Sequence, residues 1–419
     1  MSASKRQMKL GAFLWATGHH IAAWRHPQAH VTAGIDIDHY IQLARIAEAA
    51  KFDMIFCEDA AGLREADVGI ASQTSRSIGL EPISLLSALA VQTERIGLVS
   101  TASTSYNEPY GLARTFLSID HLSGGRAGWN LVTSASPIEA ANFGSTGLRP
   151  HADRYERARE FAEVVSGLWQ GGSFQGHDGQ SFSVRDPLDL QRSPQGAPVM
   201  VQAGASDLGR DLAARTADVV FTAAQTFEEA KAFYDDLKGR MTGYGREPDD
   251  IKIMPGVSPV VAETEAEARE KYEELQELIP DDVGVALLSS YLSISDLGRY
   301  PIDGPMPELP ETEGMKSRQA LVVEQSRRDG LSIRQLARHF AGARGHWRIV
   351  GTAAQVADEL QARFEGGAAD GFNVMPSWFP GELDAFCALV VPELRRRGLF
   401  RTDYQGHTLR DHLGLKRPA

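Results

Sequence analysis

The chain has 419 residues, a net charge of −12 and two cysteines. That acidity argues against nucleic acid, because holding phosphates takes clustered Lys and Arg, and two cysteines are too few for a disulfide framework or a cysteine zinc site. No apolar run approaches the roughly 20 residues of a membrane helix, and no charged-then-apolar leader opens the chain, so a cytoplasmic enzyme with one domain spanning 1–419 is expected.

Residues 9–14 read as a short apolar strand closed by the turn-like Ala16-Thr17-Gly18. Asp36 and Asp38 are N-cap candidates for a helix whose apolar face uses Ile41, Leu43, Ala44, Ile46, Ala47 and Ala50. Residues 52–57 form a strand ending at Glu58 and Asp59. A helix over 83–93 follows, then a strand over 96–100 that runs into the polar stretch 101–105. A helical pattern over 112–122 stops at Ser123-Gly124-Gly125, a turn that a helix interior would not tolerate. The strand after it, 128–133, ends in small polar residues.

The same alternation continues to the end of the chain. It gives a helix over 155–169, a strand over 199–202, a helix over 208–216, a strand over 219–222 and a helix over 227–244. A seventh strand over 251–261 is interrupted by Pro255 and Pro259, and a helix over 353–365, a strand over 372–375 and a helix over 383–397 complete the series. About eight strand–helix units make an α/β (β/α)8 TIM barrel the expected fold, and the length beyond about 250 residues requires insertions. An open dinucleotide-binding sheet is the weaker reading, since no G-x-G-x-x-G follows the first strand. Residues 170–196 read as an excursion with a hairpin around Gly179. The larger, irregular insertion, 276–345, lies before the last strand and holds helices near 316–328 and 332–341. Tyr291, Leu292, Leu321 and Phe340 are apolar residues a solvated linker does not need, so this segment is read as a lid over the barrel mouth.

In such a barrel the polar residues at the C-terminal strand ends build the site. Here these are His19 and His20, Asp59, Thr101 and Thr104, then Asn130, Thr133 and Ser134, then Gly204, Ala205 and Ser206. No G-x-S-x-G or H-E-x-x-H is present, and no lysine sits at a strand end. Neutral hydrogen-bonding groups dominate, which suits a large planar cofactor that performs the chemistry itself. A phosphate has a natural seat where Ser206 opens a helix, although Ser206 as a plain N-cap is an equal reading. His151 and Tyr155 share a helix face at i, i+4 near a helix N-terminus.

The resemblance runs along nearly the whole chain. Its motifs are Gly18-His19-His20 with Ala23-Trp24-Arg25-His26-Pro27, Phe56-Cys57-Glu58-Asp59, Pro109-Tyr110 with Ala113-Arg114, and the stretch from Ser123 through Trp129-Asn130 to Ser134. The run from His151 to Arg159, Val201-Gln202-Ala203-Gly204-Ala205-Ser206, Val350-Gly351-Thr352 and the terminal run from Thr408 to Leu415 complete it. The chain resembles the bacterial-luciferase-like flavin monooxygenases, in the branch of nitrilotriacetate monooxygenase component A. Glu58 departs from the family pattern, which has a small residue there.

The resemblance implies an FMNH2-dependent monooxygenase of a two-component system. A separate NAD(P)H:flavin reductase supplies reduced FMN, and O2 oxygenates a small organic substrate through a flavin hydroperoxide. It places Asp59, Thr104 and Asn130 around the flavin ring and ribityl chain, Thr133 and Ser134 beside the ring, His151 and Tyr155 near the chain and phosphate, and Ala205 and Ser206 on the phosphate. His19 and His20 on the first loop are the candidate catalytic groups, one of them exchanging a proton with the oxygen adduct. A homo-oligomer, dimer or tetramer, is expected, with no metal, nucleic acid or membrane partner. The rival readings are a deazaflavin-dependent oxidoreductase on the same barrel, a non-catalytic flavin-binding subunit, and a metal-dependent hydrolase, for which matching histidines on later strands are missing.

Overall fold

The computed structural model describes residues 6–418, apart from 65, 66, 77, 293, 295, 296 and 310–315. Its main strands are β1 (Lys9–Leu14), β2 (Met54–Cys57), β3 (Gly97–Ser103), β4 (Ala127–Val132), β5 (Val199–Gln202), β6 (Val219–Thr222), β7 (Lys252–Ala262), β8 (Trp347–Thr352) and β9 (Gly371–Val374). β1 to β7 pair in chain order, all parallel, and β9 closes the ring between β7 and β1. The result is a closed parallel barrel of eight strands. The longer helices are α1 (Ile37–Ala49), α2 (Pro82–Ala90), α3 (Pro109–Leu122), α4 (His151–Trp169), α5 (Asp207–Thr216), α6 (Phe227–Met241), α7 (Glu265–Glu277), α8 (Asp281–Tyr291), α9 (Lys316–Asp329), α10 (Ile333–Ala343) and α11 (Ala353–Glu365), and shorter ones, such as Gly381–Ala385 and Val391–Arg396, accompany them. Barrel strands are covered inside by one another and outside by helices, which is why they read as nearly unbroken apolar runs.

Two features of the sheet depart from the sequence reading. Pro255 and Pro259 lie within a continuous β7 instead of interrupting it. Ile253 N and Val257 O face the last barrel strand, bonding Asp370 Oδ2 and Met375 N. Pro255 and Pro259 share that edge by the two-residue period of a strand, so their missing N–H groups fall on the side of the last barrel strand and spare the edge where β6 and then β8 pair. The second is β8, which the apolar pattern did not flag. Its residues alternate between buried and half-buried, and it pairs with the outer half of β7, from Trp347↔Val257 to Thr352↔Ala262.

The barrel floor carries a repeated device. Asp53, Asp218 and Asp370 each stand one residue before a strand and accept the second backbone N–H of the neighbouring strand. The bonds are Leu10 N to Asp53 Oδ2 at 2.7 Å, Met200 N to Asp218 Oδ2 at 2.8 Å and Ile253 N to Asp370 Oδ2 at 2.9 Å. The C-terminal segment brings cations to two of them, Arg401 to Asp53 and Arg410 to Asp218 (2.7 Å), while Lys238 reaches Asp370 at 2.9 Å. Leu409, Leu413 and Leu415 then fill the barrel from below, against Val99, Val199, Val201 and Val219.

The described part of the excursion at 276–345 carries helices α8, α9 and α10, with turns and irregular backbone at 297–309. α9 and α10 match the two expected helices, and α8 is an addition, its apolar pattern weakened by Gly284 and two serines. Leu288, Leu292, Val322, Leu336 and Phe340 form a small core of its own. Ile21 and Ala22, directly after His20, pack against Ile279, Val283, Leu287 and Ala341. Among the described residues no helix is long and apolar enough to cross a membrane.

Asp53 is fully buried with Arg401 as its ion-pair partner. Asp53→Ala should therefore cost about 3–5 kcal/mol of stability, because it leaves a buried guanidinium unpaired and Leu10 N without an acceptor. Urea unfolding measures this, and a loss below about 1 kcal/mol would rule out the floor aspartates as structural ties.

Candidate active site

The rim formed by the C-terminal strand ends has an aromatic floor. Phe13, Phe56 and Phe221 are each the penultimate residue of their strand and turn into the barrel. Their ring centroids lie 4.8 Å (Phe13–Phe56), 5.6 Å (Phe56–Phe221) and 5.7 Å (Phe13–Phe221) apart. On β4, Trp129 and Leu131 pack outward against the helix layer. Strand alternation therefore aims Asn130 inward. Asn130 Nδ2 donates to Thr101 Oγ1 at 2.8 Å, and Thr101 Oγ1 donates to Cys57 O at 2.9 Å, so the threonine decides which way the amide faces. Asn130 Oδ1 is left buried with no partner among the described residues. Such an acceptor costs about 1–3 kcal/mol. The cost is removed where a ligand brings the donor.

The first loop is pinned to the opposite side of the mouth. Gly18 has φ +131°, and a Cβ there would come within 2.4 Å of Ser377 O. Only glycine permits that approach, which lets His19 N donate to Pro376 O (3.0 Å) and His20 N to Ser377 O (2.9 Å). His19 is buried, with Nε2 donating to Phe13 O at 2.8 Å and Nδ1 accepting from Arg344 at 3.2 Å. Arginine can only donate, so this pair of contacts settles the tautomer. Burial and then Arg344 push the His19 pKa down to about 3. His20 is also buried. Its Nδ1 accepts from Ala22 N at 3.2 Å, its Nε2 has no partner among the described residues, and burial followed by Arg348 takes its pKa to about 3. Both rings are neutral near pH 7. Of the two expected proton carriers, His19 has both nitrogens engaged, and His20 keeps an Nε2–H to donate.

The helix after β5 opens on a recess shared with α4. Ser206 caps α5, its Oγ accepting from Gly209 N at 3.2 Å, and the hydroxyl proton remains for a second bond. A Cβ on Gly204 would lie 2.9 Å from Gly209 Cα and 3.1 Å from Tyr155 Oη, and one on Gly209 would lie 3.0 Å from the same oxygen. Ala205 is exposed beside this recess, and His151 stands one turn before Tyr155 with ring centroids 4.8 Å apart. Asp207, a like charge to any anion here, is drawn off by Arg240 at 2.6 Å.

The remaining expected residues are placed less uniformly. Thr104 is buried and its hydroxyl donates to Val132 O at 3.2 Å. Thr133 O accepts from Ser105 Oγ at 2.7 Å, and Ser134, at φ +49°, donates to Ser103 Oγ at 2.9 Å. Asp59 opens onto a cavity of about 340 Å³ shared with Trp15, Glu58, Arg64, Arg76 and Glu81. The surrounding protein strips it of water and Glu81 adds a like charge, raising its pKa to about 6. Glu58 is clamped by Arg64 at 2.5 Å and Arg344 at 3.2 Å. Burial alone would raise its pKa, but Arg344, Arg64 and Arg76 hold it down at about 2. The aromatic floor and this clamp are what the sequence reading missed. The three penultimate phenylalanines were a usable signal; the Arg344 arm of the clamp lies 286 positions from Glu58 and left none.

Residues 13–370 match the luciferase-like monooxygenase family. The chain is 48% identical to nitrilotriacetate monooxygenase component A of Aminobacter aminovorans, over 99% of this chain and 98% of that protein. It is 45% identical to N-acetyl-S-(2-succino)cysteine monooxygenase of Bacillus subtilis, over 100% and 99%. Its structure superposes on the crystal structure of a riboflavin lyase with modified FMN and riboflavin, with a TM-score of 0.88 at 31% identity, covering 98% of this chain and 97% of that one. The chain belongs to the luciferase-like monooxygenase family and is a flavin-dependent monooxygenase.

Proposed function

We propose that this chain is the oxygenating component of a two-component system, taking reduced FMN from a separate NAD(P)H:flavin reductase and inserting one oxygen atom of O2 into a small organic substrate. The observation that carries this reading is the recess of Gly204, Gly209, Tyr155 and Ser206 at the start of α5, beside a mouth whose Asn130 Oδ1 has no donor among the described residues. Backbone N–H groups and the helix dipole favour an anion there, and the apolar aromatic floor of Phe13, Phe56 and Phe221 suits an aromatic ring system. These residues fit FMN. Ser206, Ala205, Tyr155 and His151 would hold the phosphate, Asp59, Thr104 and Asn130 the ring and ribityl chain, and Thr133 and Ser134 the ring's flank.

Bound FMN, arriving reduced, supplies the electrons that activate O2. The chain orients, protects and donates. Asn130, its amide fixed by Thr101, accepts a hydrogen bond at the ring edge. His20, neutral at working pH, offers Nε2–H to an acceptor in the mouth, while His19 holds the shape of the first loop between Phe13 and Arg344. The helical excursion at 276–345 lies on that loop through Ile21 and Ala22 and serves as the cover that keeps water out.

The purified chain should oxidise NADH negligibly by itself. With an added flavin reductase, FMN and O2, it should convert an organic substrate, and the substrates named for its relatives, nitrilotriacetate and N-acetyl-S-(2-succino)cysteine, are the first to try. Rapid NADH oxidation by the isolated chain would contradict the two-component reading.

Ser206→Ala should weaken FMN binding by about tenfold or more, the loss of one charge-assisted hydrogen bond of roughly 1.5–3 kcal/mol. Folding should survive, since removing an N-cap costs only about 1 kcal/mol. Calorimetric titration reads both proteins, and an unchanged affinity would leave Ser206 as a cap alone.

A further inference from the structure

Three guanidinium groups converge on one indole beside the barrel mouth. The carbons of Arg344, Arg64 and Arg76 lie 3.9, 4.6 and 5.7 Å from the Trp15 ring centroid. They come from separate parts of the chain, Arg64 and Arg76 from the long loop after β2 and Arg344 from the end of α10. Glu58 bridges Arg64 and Arg344. The cluster is within reach of solvent: the side chains of Arg344, Arg64 and Glu58 remain 18%, 20% and 23% exposed. Trp15, Arg64 and Arg76 line the 340 Å³ cavity onto which Asp59 opens, and Arg344 touches His19. The cluster therefore joins that cavity to the loop carrying both candidate histidines.

We propose that Arg64, Arg76 and Arg344, gathered on the Trp15 ring, form the binding site for a carboxylate group of the substrate. This rests on the oxygenase reading above and names the substrate class for it. Guanidinium forks match a carboxylate with two parallel N–H bonds, and the indole face holds them in a common orientation. Glu58 keeps the like charges together when the site is empty. Of the other acids on the cavity, Glu81 is occupied by Ile83 N at 2.8 Å and Ser84 N at 2.7 Å at the start of α2. Asp59, with its pKa near 6, gains a proton more readily than an ordinary aspartate and opposes an incoming anion less. Arg64 and Arg76 then give the cavity its cationic side. A dicarboxylate or tricarboxylate would anchor one acid group there and present the rest of the molecule toward the mouth.

The test is equilibrium binding, which needs no turnover. Calorimetry of the full chain with propane-1,2,3-tricarboxylate should show binding that weakens as NaCl is raised, while the uncharged trimethyl ester should not bind. Arg64→Gln and Arg76→Gln should each weaken the tricarboxylate about tenfold or more and leave FMN affinity unchanged. If one variant does not fold, the other and the acid-against-ester comparison still decide. No tricarboxylate binding, equal binding of acid and ester, or unchanged affinity in the folded variants would overturn the proposal. The two readings fail separately. A chain that binds the tricarboxylate through these arginines but oxygenates nothing keeps the carboxylate site and loses the oxygenase reading, and one that oxygenates only neutral substrates does the reverse.

Discussion

Register at the barrel floor is the constraint on which the rest of this structure depends. A parallel strand that slips by one residue turns every side chain to the other face. In β1 and β6 that slip would send Phe13 and Phe221 out among the helices and bring Leu14 and Thr222 inward. Asp53, Asp218 and Asp370 oppose it, each tying the start of one strand to the residue that precedes the next. Arg401, Arg410 and Lys238 neutralise them in a setting where an unpaired carboxylate would be costly. The C-terminal tail, far from the mouth, thus helps decide which atoms the mouth displays.

What the mouth displays is mostly neutral. Burial keeps His19 and His20 uncharged, and the amide of Asn130 is steered by Thr101, whose own hydroxyl is committed to Cys57 O. Neutral, fixed hydrogen-bonding groups orient a cofactor without competing with its chemistry. Charge gathers at the edge, in the arginine cluster on Trp15, and the start of α5 is the proposed seat for an anion. This division separates holding a ligand from the ground where the reaction proceeds.

Much of this was legible from residue order. Buried parallel strands advertise themselves as apolar runs, so β1, β5 and β6 were readable to the residue, and small polar groups at their ends pointed to the rim. The recess at Gly204–Ser206 was readable too, because a glycine and a serine before an amphipathic run mark a helix start. Other features were hidden for physical reasons. β8 shows apolar character only at alternate positions, and Asp53 looks like part of a strand when it is the tie beneath one. The Arg344 arm of the clamp on Glu58 exists only after the excursion folds back over the first loop, so no local pattern announces it. Glu58 stood out as a departure from the family pattern, but its partners could not be read from its neighbours.

The most direct test of this account is an anaerobic titration comparing reduced FMN with reduced riboflavin, which differ by the phosphate alone. If the start of α5, with Ser206 and Tyr155, is an anion seat, FMN should bind about 100-fold or more tightly than riboflavin, the equivalent of two charge-assisted hydrogen bonds. Equal affinities would show that the recess holds no phosphate and would contradict the placement of the cofactor on which the account rests.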